Sequence, residues 1–535
     1  MTDIGCLNFL WSQTMIAGFS AAGVSHAVIS PGSRSTPLAL AMLRQTGLEC
    51  TIAIDERSTA FFALGMAKAS QRPILLLATS GTAPANWLPA VIEASQAGIP
   101  LILISADRPP ELQGCGANQT VDQINLFGSH VRASHLLGTP DAAFDSGYLV
   151  RLAARVVEQS TWPLPGPVHL NQPFREPLLP SGDVQSLAKL ARVVVVKATT
   201  PHPAALDLSD LAQSISGRPG FIVCGELPKD GDFAEAVTAL AAQLNCPIFA
   251  EPLSGLRFGP HQRSHLAVRY NSWLGDELPA DAKWIIRFGA YPVTRHLQNL
   301  LGQSAPVHAL IEPQPRWTDP AHKLSHIVRA DPAAVCTALL RQITAPCPEG
   351  WFESFKQREI GAAPAMDAWH IPLLLASAQE NSAIFVGNSL AIRHLDSASG
   401  SGEKSLHFYA NRGASGIDGN IATAAGLAAI HGRVITLLGD LSAQHDLGSL
   451  ALAQGREMTI VVVNNGGGGI FDYLPQAQLP EFERGWRTPQ VIDFKHAALS
   501  FGLAYQHCDT AETFTQALAE SQQVGGPHLI ELLIS

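Results

Sequence analysis

Charge is scarce in this chain: only 15% of its 535 residues are charged, against 46% hydrophobic. A sequence so apolar folds into buried cores, and its length calls for roughly three to four domains. Cations are outnumbered, giving a formal net charge of -10, which excludes the broad basic surface that nucleic acid or an anionic membrane would need. Anionic small molecules must then be met by individual arginines. The eight cysteines (Cys6, Cys50, Cys115, Cys224, Cys246, Cys336, Cys347 and Cys508) include no C-x-x-C pair, so neither a zinc site nor a disulfide framework is indicated. No basic leader with a cleavage site opens the chain, and no apolar run reaches the ~18 residues of a membrane span. A soluble, cytoplasmic protein is expected. Also missing are a Walker A loop, a G-x-G-x-x-G fingerprint and an adjacent His-His pair.

What is present is a β-α rhythm. Short apolar runs at 24–30, 49–54, 73–79 and 100–106 predict buried strands, each followed by a polar or glycine-bearing loop and a helical pattern. The rhythm returns at 382–388, 407–411, 434–440 and 459–465, with post-strand loops at similar intervals, so two αβ domains of like layout flank a middle region. That region has its own strands at 221–225, 246–250, 284–289 and 307–312. The Pro-rich stretches at 163–180 and 345–348 predict linkers. The expected class is α/β, with three doubly wound parallel-sheet domains over 1–185, 190–345 and 350–535.

In such sheets ligands bind beyond the carboxyl ends of the strands. Gly439-Asp440-Leu441-Ser442 and Asn464-Asn465 followed by four glycines stand 25 residues apart, counted from Asp440 to Asn465. One β-α-β step would bring a carboxylate and an amide oxygen to a common point. Mg²⁺ takes hard oxygen ligands, and neighbouring glycines let backbone approach a diphosphate. The plainer alternative is a helix cap followed by a turn. Asp55-Glu56-Arg57 ends the second strand; a desolvated Glu56 with a raised pKa could serve an aminopyrimidine, whereas a lone acid there is more often solvated. Arg34 precedes a helix, with Thr36 read as its N-cap and Pro37 at N1, so helix amides would reinforce an anion site. Arg108, Arg393 and Arg412 also follow strands, where ordinary ion pairing is the alternative. Asn118 and Gln119 could hold a carboxylate or hydroxyl, and Ile470, Phe471 and Leu474 would form an apolar wall against water. His394 and His445 are read as structural.

Several motifs are more specific. Pro31-Gly32-Ser33-Arg34-Ser35-Thr36-Pro37, Thr79-Ser80-Gly81-Thr82-Ala83, Ser105-Ala106-Asp107-Arg108-Pro109-Pro110-Glu111 and Gly116-Ala117-Asn118-Gln119 belong together. So do Gly387-Asn388-Ser389, the run Asn411-Arg412-Gly413-Ala414-Ser415-Gly416-Ile417-Asp418-Gly419, and Gly439-Asp440-Leu441-Ser442. With these the chain resembles the 2-succinyl-5-enolpyruvyl-6-hydroxy-3-cyclohexene-1-carboxylate (SEPHCHC) synthase family of thiamine-diphosphate enzymes. The match is strong over both terminal domains and weak over the middle.

The resemblance implies a pyrimidine-binding domain, a central domain without cofactor, and a diphosphate-binding domain. It implies decarboxylation of 2-oxoglutarate and 1,4-addition of the succinyl unit to isochorismate, in menaquinone or phylloquinone biosynthesis. Glu56, Gln119, Arg34 and Arg393 would be catalytic. Asp440, Asn465 and the Gly467 carbonyl would hold Mg²⁺, with Mn²⁺ as an alternative ion. Thiamine diphosphate would lie among Glu56, Thr79, Ser389, Arg412, Gly416, Ile417, Asp440, Leu441, Ser442, Asn465, Gly467 and Ile470. Substrate would meet Ser33, Arg34, Arg108, Asn118, Gln119, Arg295, Ser389, Arg393, Ile470, Phe471 and Leu474. The family pairs Glu56 with the metal site across two chains, so a homodimer or a dimer of dimers is implied. Three positions depart from the wider pattern: Leu441 where Gly is usual, Gly466 where a third Asn is frequent, and Arg295 where Lys is more familiar. The competing readings are another thiamine carboligase, acetolactate-synthase-like, and a non-catalytic dinucleotide-binding protein.

Overall fold

The computed structural model describes residues 3–534 apart from 144, 146, 183–195, 197–207, 228–231, 276–280, 304 and 364. The boundary expected between 185 and 190 lies outside the described residues. Three six-stranded sheets are formed, and every strand pair in them is parallel.

The first sheet contains β1 (His26–Ile29), β2 (Glu49–Ile52), β3 (Ile74–Ala78), β4 (Leu101–Asp107), β5 (Ala133–Leu136) and β6 (Pro167–Pro173), ordered β2-β1-β3-β4-β6-β5. The second contains β7 (Gly220–Cys224), β8 (Ile248–Ala250), β9 (Leu266–Ala267), β10 (Trp284–Phe288), β11 (Val307–Ile311) and β12 (His326–Val328), ordered β12-β11-β10-β7-β8-β9. The third contains β13 (Ala383–Val386), β14 (His407–Tyr409), β15 (Arg433–Gly439), β16 (Glu457–Asn464), β17 (Ala504–Cys508) and β18 (Pro527–Leu533), ordered β14-β13-β15-β16-β18-β17. The first and third sheets thus share one topology, as the loop intervals predict.

All twelve expected strands are present. The linker expected at 163–180 is corrected: its middle is β6, wholly buried between β4 and β5. Its polar side chains are buried because they satisfy one another. Ser105 donates to Asn171 Oδ1 at 2.8 Å and lies 2.8 Å from His169 Nε2, while Trp11 donates to Gln172 at 3.0 Å.

The middle sheet has the strand order of a dinucleotide-binding fold, but its switch point between β7 and β10 is filled by backbone. Ala290 N donates to Glu226 O at 2.9 Å, and a Cβ on Gly225 would fall 2.1 Å from Ala290 O. The glycines there serve the approach of two loops to each other, which removes the main support of the dinucleotide reading.

The first and third sheets share one apolar core. Its centre is the contact between helix Glu56–Ser70 and helix Asn420–His431. A Cβ on Gly65 would lie 2.0 Å from Thr423 O, and one on Gly426 2.0 Å from Phe62 O, so the helices meet backbone to backbone. This contact sets the two terminal domains of one chain against each other. Among the described residues no helix is long and apolar enough to cross a membrane.

Candidate active site

Asp440 directly follows β15 and Asn465 directly follows β16, and these strands are paired in register through Gly439 and Val463. The expected convergence of the two loops is therefore realised. Asp440 is 6% exposed; its Oδ1 accepts from Leu441 N at 2.8 Å and its Oδ2 from Gly467 N at 2.7 Å. Burial pushes its carboxyl above the ordinary pKa, against those two N–H groups. It is not the helix cap: Gly439 holds that position for helix Asp440–His445.

Asn465 Oδ1 is buried without a partner among the described residues, while Asn465 O accepts from Arg487 at 2.6 Å. An orphaned amide oxygen on the loop that follows the strand next to that of a buried carboxylate fits a hard cation, since an unmade bond there is costly. The Gly467 carbonyl already accepts from Gly469 N at 2.8 Å, leaving one lone pair. Gly467 itself needs glycine, with φ at +129° and the Arg487 carbonyl 2.3 Å from where a Cβ would be. Ile470 and Phe471 are half-buried in the following turn, but Leu474 is 38% exposed. The apolar wall is thus incomplete in the single chain.

Asn388, after β13, ties the neighbouring loops together. Its Nδ2 donates to Asn411 O at 2.9 Å and Gly416 O at 2.7 Å, and its Oδ1 accepts from Arg412 Nη1 at 2.6 Å. Asn420 donates to Ile417 O and to Ser442 Oγ, both at 2.8 Å. Arg412, Gly416, Ile417 and Ser442 therefore form one hydrogen-bonded rim at the carboxyl ends of β13, β14 and β15. Leu441 stands half-buried beside it. Ser389 joins the rim with φ at +67°, a left-handed conformation costly for a residue with a Cβ, and its carbonyl accepts from Arg393 Nη1 at 2.7 Å. Desolvation around the guanidinium and the like charge of Arg412 both lower the pKa of Arg393, although its side chain reaches solvent.

At the first sheet, Gly32 touches Thr79 so closely that a Cβ would lie 2.3 Å from its side chain. Arg108 donates to Ser80 Oγ at 2.5 Å, Ser80 Oγ donates to Gln119 O at 2.9 Å, and Gln119 Nε2 donates to Ser80 O at 2.9 Å. Arg34, 5% exposed, donates to Phe174 O at 3.0 Å and to Glu176 at 2.8 Å; its Nε is buried without a partner among the described residues. Desolvation and the Arg34 charge lower the pKa of Arg108, opposed by the carboxylates of Glu176 and Asp107. Arg34 does pair with a carboxylate, but Glu176 is itself 70% exposed. Ser33 and Asn118 are exposed.

Some expectations need correction. The cap of helix Thr36–Arg44 is Ser35, one residue early, with no side-chain cap bond. Thr36 Oγ1 instead donates to Ser33 O at 2.7 Å, because a local turn competes for the hydroxyl. Glu56, expected to be desolvated, is half-buried in the single chain, as the first residue of a helix capped by Asp55. Among the described residues no hydrogen bond or ion pair joins it to Asp440, Asn465 or Gly467. Arg295 is exposed at the start of helix Arg295–Gly302, and no described contact ties it to the other arginines.

Sequence reasoning missed Asp446, Lys68 and Glu93. Asp446 is fully buried, with its pKa raised to about 6 by burial, and accepts from Ser449 at 2.6 Å and Ala422 N at 3.0 Å. Ser58, on the Glu56 helix, lies 2.8 Å from Ser449. His445 and His394 take no part in these rims: His445 lends its carbonyl to Arg57 at 3.3 Å, and His394 packs on His370.

Residues 11–126 match the family described as "Thiamine pyrophosphate enzyme, N-terminal TPP binding domain", and residues 396–532 match "Thiamine pyrophosphate enzyme, C-terminal TPP binding domain". The 2-succinyl-5-enolpyruvyl-6-hydroxy-3-cyclohexene-1-carboxylate synthase of Dechloromonas aromatica (strain RCB) is 61% identical, over 99% of each chain. That of Geobacillus thermodenitrificans (strain NG80-2) is 39% identical, over 97% of this chain and 92% of its own. In fold the chain is similar to the benzoylformate decarboxylase from Polynucleobacter necessarius, with a TM-score of 0.74 at 18% identity over 98% of both chains. The chain belongs to the 2-succinyl-5-enolpyruvyl-6-hydroxy-3-cyclohexene-1-carboxylate synthase family of thiamine pyrophosphate enzymes.

Proposed function

We propose that this chain decarboxylates 2-oxoglutarate and adds the succinyl unit to isochorismate in a 1,4 sense, giving SEPHCHC with its enolpyruvyl group retained, in menaquinone biosynthesis. The carrying observation is the set of arginines beyond the carboxyl ends of strands in both terminal sheets: Arg34 after β1 and Arg108 after β4, Arg393 after β13 and Arg412 after β14. A guanidinium offers an anion parallel N–H donors, and Arg34 Nε is buried without a partner among the described residues. Both substrates are dicarboxylates, which planar bidentate cations suit. An acetolactate-synthase-like enzyme, acting on small oxo acids with apolar side chains, would not require Arg34, Arg108 and Arg393.

Bound thiamine diphosphate would supply the nucleophilic carbon on which a 2-oxo acid loses CO₂. Asp440, Asn465 Oδ1 and the free lone pair of Gly467 O would hold Mg²⁺, or Mn²⁺, against its diphosphate. Glu56 would share a proton with N1′ of the aminopyrimidine. Thr79, Ser389, Gly416, Ile417, Leu441, Ser442 and Ile470 would surround the cofactor. Ser33, Asn118, Gln119, Phe471 and Leu474 would orient substrate, and Arg295 would join them on the family resemblance alone.

Two chains would assemble each site, in a homodimer or a dimer of dimers. Support comes from the absence, among the described residues, of any hydrogen bond or ion pair from Glu56 to Asp440, Asn465 or Gly467, while its neighbours Arg57 and Ser58 meet His445 O and Ser449. Apolar side chains near both half-sites stand in solvent, with Ile54 87%, Ile52 50% and Ile417 41% exposed.

Replacing Arg34, Arg108 or Arg393 by Ala is expected to cost about 2–5 kcal/mol in kcat/KM for the dicarboxylate it meets, with cofactor affinity retained. Steady-state kinetics beside calorimetric titration of thiamine diphosphate reads both. Normal use of 2-oxoglutarate and isochorismate by the triple variant would place the pocket elsewhere.

A further inference from the structure

The loop carrying Arg412 belongs to the third sheet, yet it is held from the first. Glu93, on helix Leu88–Ala97, is 3% exposed, and its two carboxylate oxygens accept separately from Gly413 N at 2.8 Å and Ala414 N at 2.6 Å. Lys68, on the Glu56 helix and 4% exposed, donates to Ala410 O at 2.5 Å and stands 3.8 Å from Glu93 Oε1. A Cβ on Gly413 would fall 2.5 Å from Glu93 O and 2.8 Å from Ala97 N. The loop therefore lies on helix Leu88–Ala97 with no side chain between them.

A buried ion pair adds little net stability over an apolar pair of the same volume. What this pair provides is position, since two N–H groups and one carbonyl of the same loop are gripped together through charge-assisted bonds. The gripped groups bracket Arg412 in the chain: Ala410 precedes it by two residues, and Gly413 and Ala414 follow it directly. From the opposite side Asn388 holds the Arg412 guanidinium and the carbonyls of Asn411 and Gly416.

We propose that Glu93, assisted by Lys68, is a positioning residue for Arg412, fixing from the pyrimidine side of its own chain the loop that lines the cofactor and succinyl pocket. This rests on the pocket reading given above for Arg412. Glu93 acts through the backbone of Gly413 and Ala414.

The test uses the full-length protein and Glu93→Gln, which keeps the shape but removes the charge. Amide exchange followed by mass spectrometry over 410–417 is expected to quicken roughly tenfold or more. kcat/KM for 2-oxoglutarate should fall roughly tenfold or more, as losing charged hydrogen bonds implies. In an Arg412→Ala background, Glu93→Gln should cause almost no further loss in kcat/KM, because the two residues act as one unit. Lys68→Met provides the same comparison should Glu93→Gln not accumulate as folded protein. Unchanged exchange over 410–417, or a loss that adds in full to that of Arg412→Ala, overturns the proposal. A wild-type protein that ignores 2-oxoglutarate counts against the function, whereas the exchange data decide the clamp independently.

Discussion

Glu56→Gln is expected to retain thiamine diphosphate while losing roughly 10²–10⁴ in turnover. Glu56 is the first residue of a helix whose cap is Asp55, accepting from Arg57 N at 2.9 Å and Ser58 N at 3.2 Å. The backbone around it is thus fixed independently of its own side chain, and the isosteric amide leaves that geometry intact. What would disappear is the proton that Glu56 is proposed to share with the aminopyrimidine. Exchange of the cofactor C2 proton, followed by NMR, should slow in parallel with turnover. Exchange at the wild-type rate would make Glu56 an ordinary surface acid.

Asp440→Ala is expected to weaken metal-dependent binding of thiamine diphosphate by at least the roughly 10–100-fold that even a supporting residue of a metal site costs. Among the described residues the side chain holds only Leu441 N and Gly467 N, and it caps no helix, so the fold should survive. Calorimetric titration with Mg²⁺ present reads the loss, and thermal unfolding checks the fold. Unchanged affinity would remove Asp440 from the metal site. The two dead variants also test the shared site. Random reassociation makes half the dimers mixed, each with one intact site, so roughly a quarter of wild-type activity should return. No recovery despite verified chain exchange would reject assembly from two chains.

The strand ends that build the site were legible because buried parallel strands leave long apolar runs and the loops after them carry glycine and polar residues. Asp440 and Asn465 could be paired from spacing alone, and β15 beside β16 is that pairing. β18, a plain apolar run in the interior of the third sheet, was legible but not predicted; the other strands that escaped notice are of two kinds. Short edges such as β9 and β12 leave too little pattern, and β12 is only half-buried. β6 looks polar and proline-rich because its core contacts are hydrogen bonds of His169, Asn171 and Gln172. Lys68 and Glu93 each left a signal, a lone charge within an otherwise apolar helical run. Their meaning was out of reach because the loop they hold lies more than 300 residues away, which no local pattern encodes. The half-buried state of Glu56 was likewise illegible, since burial depends on what packs over a helix start.

The joining of a decarboxylated 2-oxoglutarate to isochorismate can be read in one assay. CO₂ release from 2-oxoglutarate by the purified protein is followed with thiamine diphosphate and Mg²⁺, with and without isochorismate, and the product is weighed by mass spectrometry. The expected release rises with isochorismate and matches, mole for mole, an adduct carrying the succinyl unit and the intact enolpyruvyl group. Release that ignores isochorismate, or turnover of pyruvate in place of 2-oxoglutarate, would refute the assignment.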